Sequence, residues 1–281
     1  MLRFWKKQFQ LSKFYLIHND PGVFIASQWQ KNKTEPNFKY LMYRTAIMLI
    51  FFVTWIMTII KEAENNGLWP IFLTNWGYTA CTLQATLAFI MLFTTFIGST
   101  LDMPQMKEHI LWLYPLYWLL NIVATATAFA ITTVYWTTIY NAKTMVFDAL
   151  NYFVHGNNSI LVFIDLWIVA HPVMPFHVVY SIIFGIIYSV FTFIYYSAGG
   201  RGKEGTLCIY KIVDWDRPGL TVGVCLGVIA FLIVIHFLMV LISLVRRNLQ
   251  EKCCSKKLDI TMMQTKKDAA YVNEAMSADI V

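Results

Sequence analysis

The sequence is poor in charge. Only 14% of its 281 residues are Asp, Glu, Lys or Arg, against 58% hydrophobic, whereas a soluble domain carries about 25% charged residues. Twenty-two basic and sixteen acidic side chains cannot cover the water-facing surface of a folded chain this long. A soluble enzyme and a disordered chain are both excluded. So is a nucleic-acid binder, despite the net charge of +6, because binders of that kind carry a basic stripe on a soluble fold.

Other absences narrow the chemistry. No Cys-x-x-Cys or His-x-x-x-His pair occurs, so no metal and no cofactor is expected. Gly199-Gly200-Arg201-Gly202 has no strand before it and reads as a flexible exit from a helix, not a phosphate cradle. No nucleophile elbow is present, and the first 40 residues lack the apolar core of a secretory signal. Of five cysteines, Cys81 and Cys225 fall in apolar segments and Cys208 stands alone in a loop. No disulfide framework is expected. Cys253 and Cys254, beside Arg246 and Arg247, are juxtamembrane candidates for S-acylation.

What is present is a series of charge-free runs. A spanning helix needs about 20 apolar residues, and the gaps between charges predict six spans near 40–61, 73–98, 112–140, 150–171, 176–198 and 219–245. Pro172 and Pro175 divide the fourth span from the fifth. The predicted fold is therefore an all-α, six-span transmembrane helix bundle. Residues 1–39 form a basic, aromatic-rich segment, 40–245 the membrane domain, and 246–281 a polar, flexible tail. Sixteen Lys and Arg fall on the side of the termini and six on the other, which places both termini in the cytoplasm. Leu2, Trp5 and Phe9 are spaced for an interfacial helix, with an unstructured tail as the alternative. The sequon Asn32-Lys33-Thr34 offers a test of topology, since a cytoplasmic asparagine is not glycosylated.

The polar residues inside the spans are the candidate site. Asp165 sits within SILVFIDLWIV, where a carboxylate costs about 2.5–3.5 kcal/mol unless it is paired, protonated or facing a polar cavity. Asn158 lies seven residues before it on the same helix face, and a polar stripe begins at His155. Asn121 and Asn75 give the third and second spans polar positions, and Arg44, at the start of the first, reads as a snorkelling side chain. The predicted binding site is thus a buried polar interior of Asn75, Asn121, Asn158 and Asp165 near the outer half of the bilayer, built by spans one to four. The competing reading is interhelical hydrogen bonding that holds the bundle together. At the C-terminus, Asp279-Ile280-Val281 could add a strand to a PDZ-type partner.

The stretches PIFLTNWGYT (70–79), LYPLYWLLNIV (113–123), YWTTIY (135–140), HGNNSILVFIDL (155–166) and IYKIVDWDRPG (209–219) resemble those of the rolling stone family. These are multi-pass membrane proteins first tied to myoblast fusion in insects. The resemblance covers roughly residues 20–245. It implies a non-enzymatic role at the plasma membrane, with the endoplasmic reticulum as the alternative location and the lipid bilayer, including a lipid ligand, as partner. A more distant similarity is to the androgen-induced membrane proteins, some of which hydrolyse fatty acid esters of hydroxy fatty acids with an intramembrane threonine and histidine. That similarity implies His155 as the histidine. The family threonine falls opposite Met42, and Thr45 is the nearest threonine in this sequence. The charge count sets Thr45 near the inner face and His155 near the outer one. The sequence therefore favours the non-enzymatic role, with an intramembrane lipid ester hydrolase as the alternative.

Overall fold

A computed structural model describes residues 11–63, 67–141 and 148–278. Seven α-helical elements follow one another: α1 Phe38–Ala63, α2 Leu73–Thr100, a short α3 Gln105–Leu111, α4 Tyr114–Val134, α5, α6 Val178–Ser197 and α7 Pro218–Ala278. α5 is helical from 149 to 168 in three joined pieces: Ala149–Tyr152, a π-helical turn Phe153–Asn157, and Asn158–Ile168. Another π-helical turn, Tyr135–Ile139, extends α4. The described residues contain no strand beyond two isolated bridges, Ser27 with Val169 and Tyr210 with Val213.

Among the described residues, five helices are long and apolar enough to cross a membrane: Phe38–Glu62, Leu73–Thr100, Tyr114–Ile139, Pro175–Ser197 and Pro218–Cys253. The segment expected to be the fourth span is the broken helix α5. Its twenty residues rise about 30 Å, but it carries His155, three asparagines and Asp165 in that length. Proline opens several elements where its missing N–H costs nothing: Pro115 at the start of α4, Pro175 before α6 and Pro218 at the start of α7. Asp148 caps α5, its carboxylate accepting the Asn151 N–H at 2.7 Å.

Successive helices run up and down. α4 is the most buried and packs on α2, α5, α6 and α7. One core cluster lies among α1, α2, α4 and α5, around Phe51, Tyr78, Cys81 and Ala124. A second joins the N-terminal segment to α2 and α4 through Phe24, Met91, Leu92 and Trp118. A third seats α7 on α4 through Ala126, Leu232, Ile235 and Met239.

Two expectations are corrected here. The described part of the N-terminal segment is not a tail outside the bundle. Phe24, Ile25 and Ala26 are buried, and Phe24 stacks on Tyr114 with ring centroids 4.8 Å apart. Nor does helix stop near 245. α7 runs unbroken to Ala278, because the sequence after Gly227 has no glycine or proline and continues in Lys, Glu, Gln, Met and Ala, all good helix formers. Leu2, Trp5, Phe9 and the PDZ-type end Asp279-Ile280-Val281 lie outside the described residues.

Candidate functional site

Arg44 and Asp165 form the centre. Neither is accessible: Arg44 is 1% and Asp165 4% exposed. Arg44 Nη1 donates to Asp165 Oδ1 at 2.8 Å. Tyr43 Oη donates to the same oxygen at 2.9 Å, and Gln84 Nε2 reaches Oδ2 at 3.4 Å. The other guanidinium donors are used as well, Nε on Tyr40 Oη and Nη2 on Tyr117 Oη, both at 2.9 Å. Tyr117 Oη then lies 3.1 Å from His171 Nε2. Tyr40, Tyr43 and Arg44 fall at i, i+3 and i+4, so α1 presents all three to one neighbour. A buried charge is tolerated only when paired and hydrogen-bonded, and each charged group here has three such contacts.

A second buried cation closes the network. Arg246 of α7 is 1% exposed and donates to the backbone carbonyls of Leu166 and His171. Those carbonyls stand at the C-terminal end of α5, where unsatisfied C=O groups carry partial negative charge. The N-terminal segment satisfies the remaining ones. Gln28 N donates to Ile168 O at 2.7 Å, Ser27 Oγ to the same oxygen at 3.1 Å, and Trp29 Nε1 to Trp167 O at 2.8 Å. Ala170 N donates back to Ala26 O at 3.1 Å. Phe24 stacks on His171 at 5.2 Å. Five parts of the chain thus meet on the end of one helix.

The polar site therefore lies at the end of the bundle where α1 begins and the apolar stretch of α7 ends, and it includes α7 and the N-terminal segment. The expectation of a site near the opposite, outer half built by spans one to four is corrected on both points. Asp165 is ten residues below His155, and α5 enters the bundle from the far end. Arg44 does not snorkel, because the nearest carboxylate is across the helix interface and closer than bulk water. Asn75 and Asn121 are both buried; Asn75 stands apart, its Nδ2 donating to Trp69 O at 2.7 Å at the opposite end of the bundle, while Asn121 lies one turn beyond Tyr117 on α4.

His155 and Asn158 belong to a separate cluster at that far end. The His155 ring stacks flat on Tyr135 at 3.5 Å, and its carbonyl accepts Trp136 Nε1 at 2.8 Å. Asn158 Oδ1 accepts Thr132 Oγ1 at 3.0 Å, and Ser159 Oγ donates to Ala128 O at 3.0 Å. The π-helical turn rotates His155 out of register with Asp165. Thr45 neighbours Arg44, and its hydroxyl donates to Leu41 O at 2.9 Å within α1. Arg44 contacts Asp165, which is ten residues from His155, so Thr45 and His155 are separated by about 15 Å of helix rise. The structure does not bring them together.

Gln84, Tyr117, His171 and Arg246 were missed from the sequence. One signal was available: Asp165 is the only acid between Ala149 and Gly200 and needs a cation, and Arg44 is the charged residue that borders an apolar run on a neighbouring span. Arg246 gave no such signal, since its partners are backbone carbonyls. Among the described residues no cluster of His, Cys, Asp and Glu could hold a metal. Cys253 is exposed, and the side chain of Cys254 lies outside the described residues.

A family model described as "Protein rolling stone" matches residues 1–255. A relative of that name from Drosophila melanogaster is 30% identical over 247 residues, covering 85% of this chain and 88% of the relative. No solved structure matches.

Proposed function

The chain belongs to the rolling stone family of apolar, multi-helix membrane proteins, and from that premise we propose that it acts non-enzymatically at the plasma membrane, in cell-surface events such as cell fusion. In this reading α5 is the sixth span and both termini are cytoplasmic. One observation carries the proposal: the buried charges are spent on one another and on backbone carbonyls. Each guanidinium nitrogen of Arg44 and both oxygens of Asp165 already have a partner within the chain. A group held this way braces helices and offers nothing to a substrate. Catalysis by a threonine and a histidine needs the two within about 2.6–3.2 Å, and Thr45 and His155 are not so placed.

The test has two arms. Cells of a fusing lineage that lack the protein are given the wild-type chain or Asp165→Asn, and fused nuclei are counted; rescue by the wild type is expected, with loss in the variant at reduced surface level. An activity-based hydrolase probe is applied to the purified protein and to His155→Ala. Labelling that disappears in the variant would overturn the non-enzymatic reading in favour of the lipid ester hydrolase. A glycan on Asn32, which sits in an exposed Asx turn with Thr34 Oγ1 2.6 Å from Asn32 Oδ1, would overturn the orientation.

A further inference from the structure

Towards the end of the bundle where α4 ends and α7 begins, α2, α4, α6 and α7 surround a cavity of about 110 Å³, open in part at its mouth. The lining runs along the helices, from Ala130 to Ile139 on one wall and from Gly185 to Thr192 on another, about 10–14 Å of rise. The space is therefore elongated parallel to the spans. Its deeper part is bounded by small and branched apolar residues such as Ala130, Gly185 and Val228.

No lining residue is charged, and the hydroxyls that reach the space are already engaged. Tyr188 Oη donates to Ile71 O at 2.7 Å, and Leu73 N lies 3.0 Å from both Tyr188 Oη and Tyr210 Oη. Thr192 Oγ1 donates to Ser189 O at 2.7 Å and accepts Trp215 Nε1 at 3.1 Å. A wall of satisfied hydroxyls and aliphatic groups suits hydrocarbon, not a polar solute.

The mouth is different. A tight turn closed by Val213 N on Tyr210 O at 2.8 Å contributes Tyr210, Ile212 and Val213 to the lining and leaves Lys211 exposed. A cation thus stands at the water side of an uncharged slot that runs along the bilayer normal. Phosphate above hydrocarbon is the matching order of parts. We propose that this cavity holds an acyl chain of a membrane phospholipid, with the lipid phosphate beside Lys211. A sterol would fit the neutral walls but would make no use of the lysine.

The experiment uses the full chain in nanodiscs of phosphatidylcholine and phosphatidylglycerol. The probe is phosphatidylglycerol with a diazirine on its acyl chain, and a diazirine sterol serves as the second arm. After irradiation, label from the acyl probe is expected on peptides containing 185–192 and 224–229. Val228→Trp, which fills the slot, is expected to lower that labelling about tenfold, a modest 1.4 kcal/mol loss. Lys211→Gln is expected to lower it roughly fivefold, as loss of one surface cation near anionic lipid should. If Val228→Trp does not fold, Cys225 reports instead: its half-buried thiol lines the space. In a background with Cys208, Cys253 and Cys254 changed to serine, its alkylation should slow as phospholipid is returned to delipidated protein. Label spread evenly over all lipid-facing helices, capture by the sterol probe alone, or indifference to Lys211→Gln would each overturn the proposal.

Discussion

Asp165→Asn tests the centre of the molecule directly. The substitution keeps the shape and removes the charge. Asparagine oxygen can still accept from Tyr43 and Arg44, but its amide group meets Gln84 Nε2, a donor facing a donor where 3.4 Å now separates donor from acceptor. The larger loss is electrostatic. Arg44 and Arg246 are both buried, and Asp165 is the carboxylate between them. Removing one member of a buried ion pair costs about 3–5 kcal/mol, because the charge left behind has no counterpart. Arg44→Met, which strands the carboxylate, should cost a similar amount. Arg44→Met with Asp165→Asn removes both charges, and neutral replacement of a whole buried pair costs far less than stranding one charge. The double variant should therefore be at least about 3 kcal/mol more stable than the sum of the singles predicts, a coupling well beyond that of independent sites. Unfolding by urea in mixed micelles, followed through the ten tryptophans, measures all four proteins. Singles that each cost under about 1 kcal/mol, or a double equal to their sum, would refute the reasoning.

Three further outcomes follow from the same contacts. Arg246→Met strips the buried Leu166 and His171 carbonyls of their donor and should cost about 1–3 kcal/mol in the same unfolding assay. Phe24→Ala removes a ring that packs on Tyr114, Trp118 and His171. It should cost about 3–5 kcal/mol and raise hydrogen exchange in the last turn of α5, which a detached N-terminal segment would leave unchanged. Asp148→Ala loses a helix cap and should cost about 1 kcal/mol. The Lys61 ammonium, hydrogen-bonded to Asp148, holds this carboxyl below its ordinary 3.8. A depressed value means the stabilisation is present above pH 4 and disappears as pH falls through the lower folded value. The difference between wild type and Asp148→Ala should therefore shrink as pH falls below about 4.

The long charge-free runs were legible because length and apolarity alone decide whether a helix can cross a bilayer. α1, α2 and α6 begin and end within a few residues of the expected bounds. α5 was harder to read. Its π-helical turn shifts the register of His155 against Asp165, and no residue pattern announces an extra residue in a turn. The far end of α7 was misread because mixed charge was taken for flexibility, although the absence of glycine and proline permits helix. Within the site, Asp165 was visible as an anomaly, but its setting was not. Arg246 and the N-terminal segment act on backbone carbonyls, and carbonyls carry no sequence signature.

The burial of two arginines bears on the orientation itself. Loop Lys and Arg set topology by staying out of the bilayer on the cytoplasmic side. Arg44 and Arg246 are enclosed by protein, so they should be removed from the count. Fourteen basic residues then remain on the side of the termini against six on the other. Two of the six are in ion pairs, Lys61 with Asp148 and Lys203 with Glu62. Acidic residues contribute little to the rule, so those pairs leave the six in place, and the bias still exceeds twofold. The enclosed arginines fit the same orientation for a separate reason. Arg44 lies six residues into α1 and Arg246 seven residues before the apolar stretch of α7 ends at Cys253, so both stand near the same end of the bundle. The basic residues that enter the count and the two enclosed arginines thus fall at the same end of the bundle, and Asp165 draws on the second set without disturbing the first.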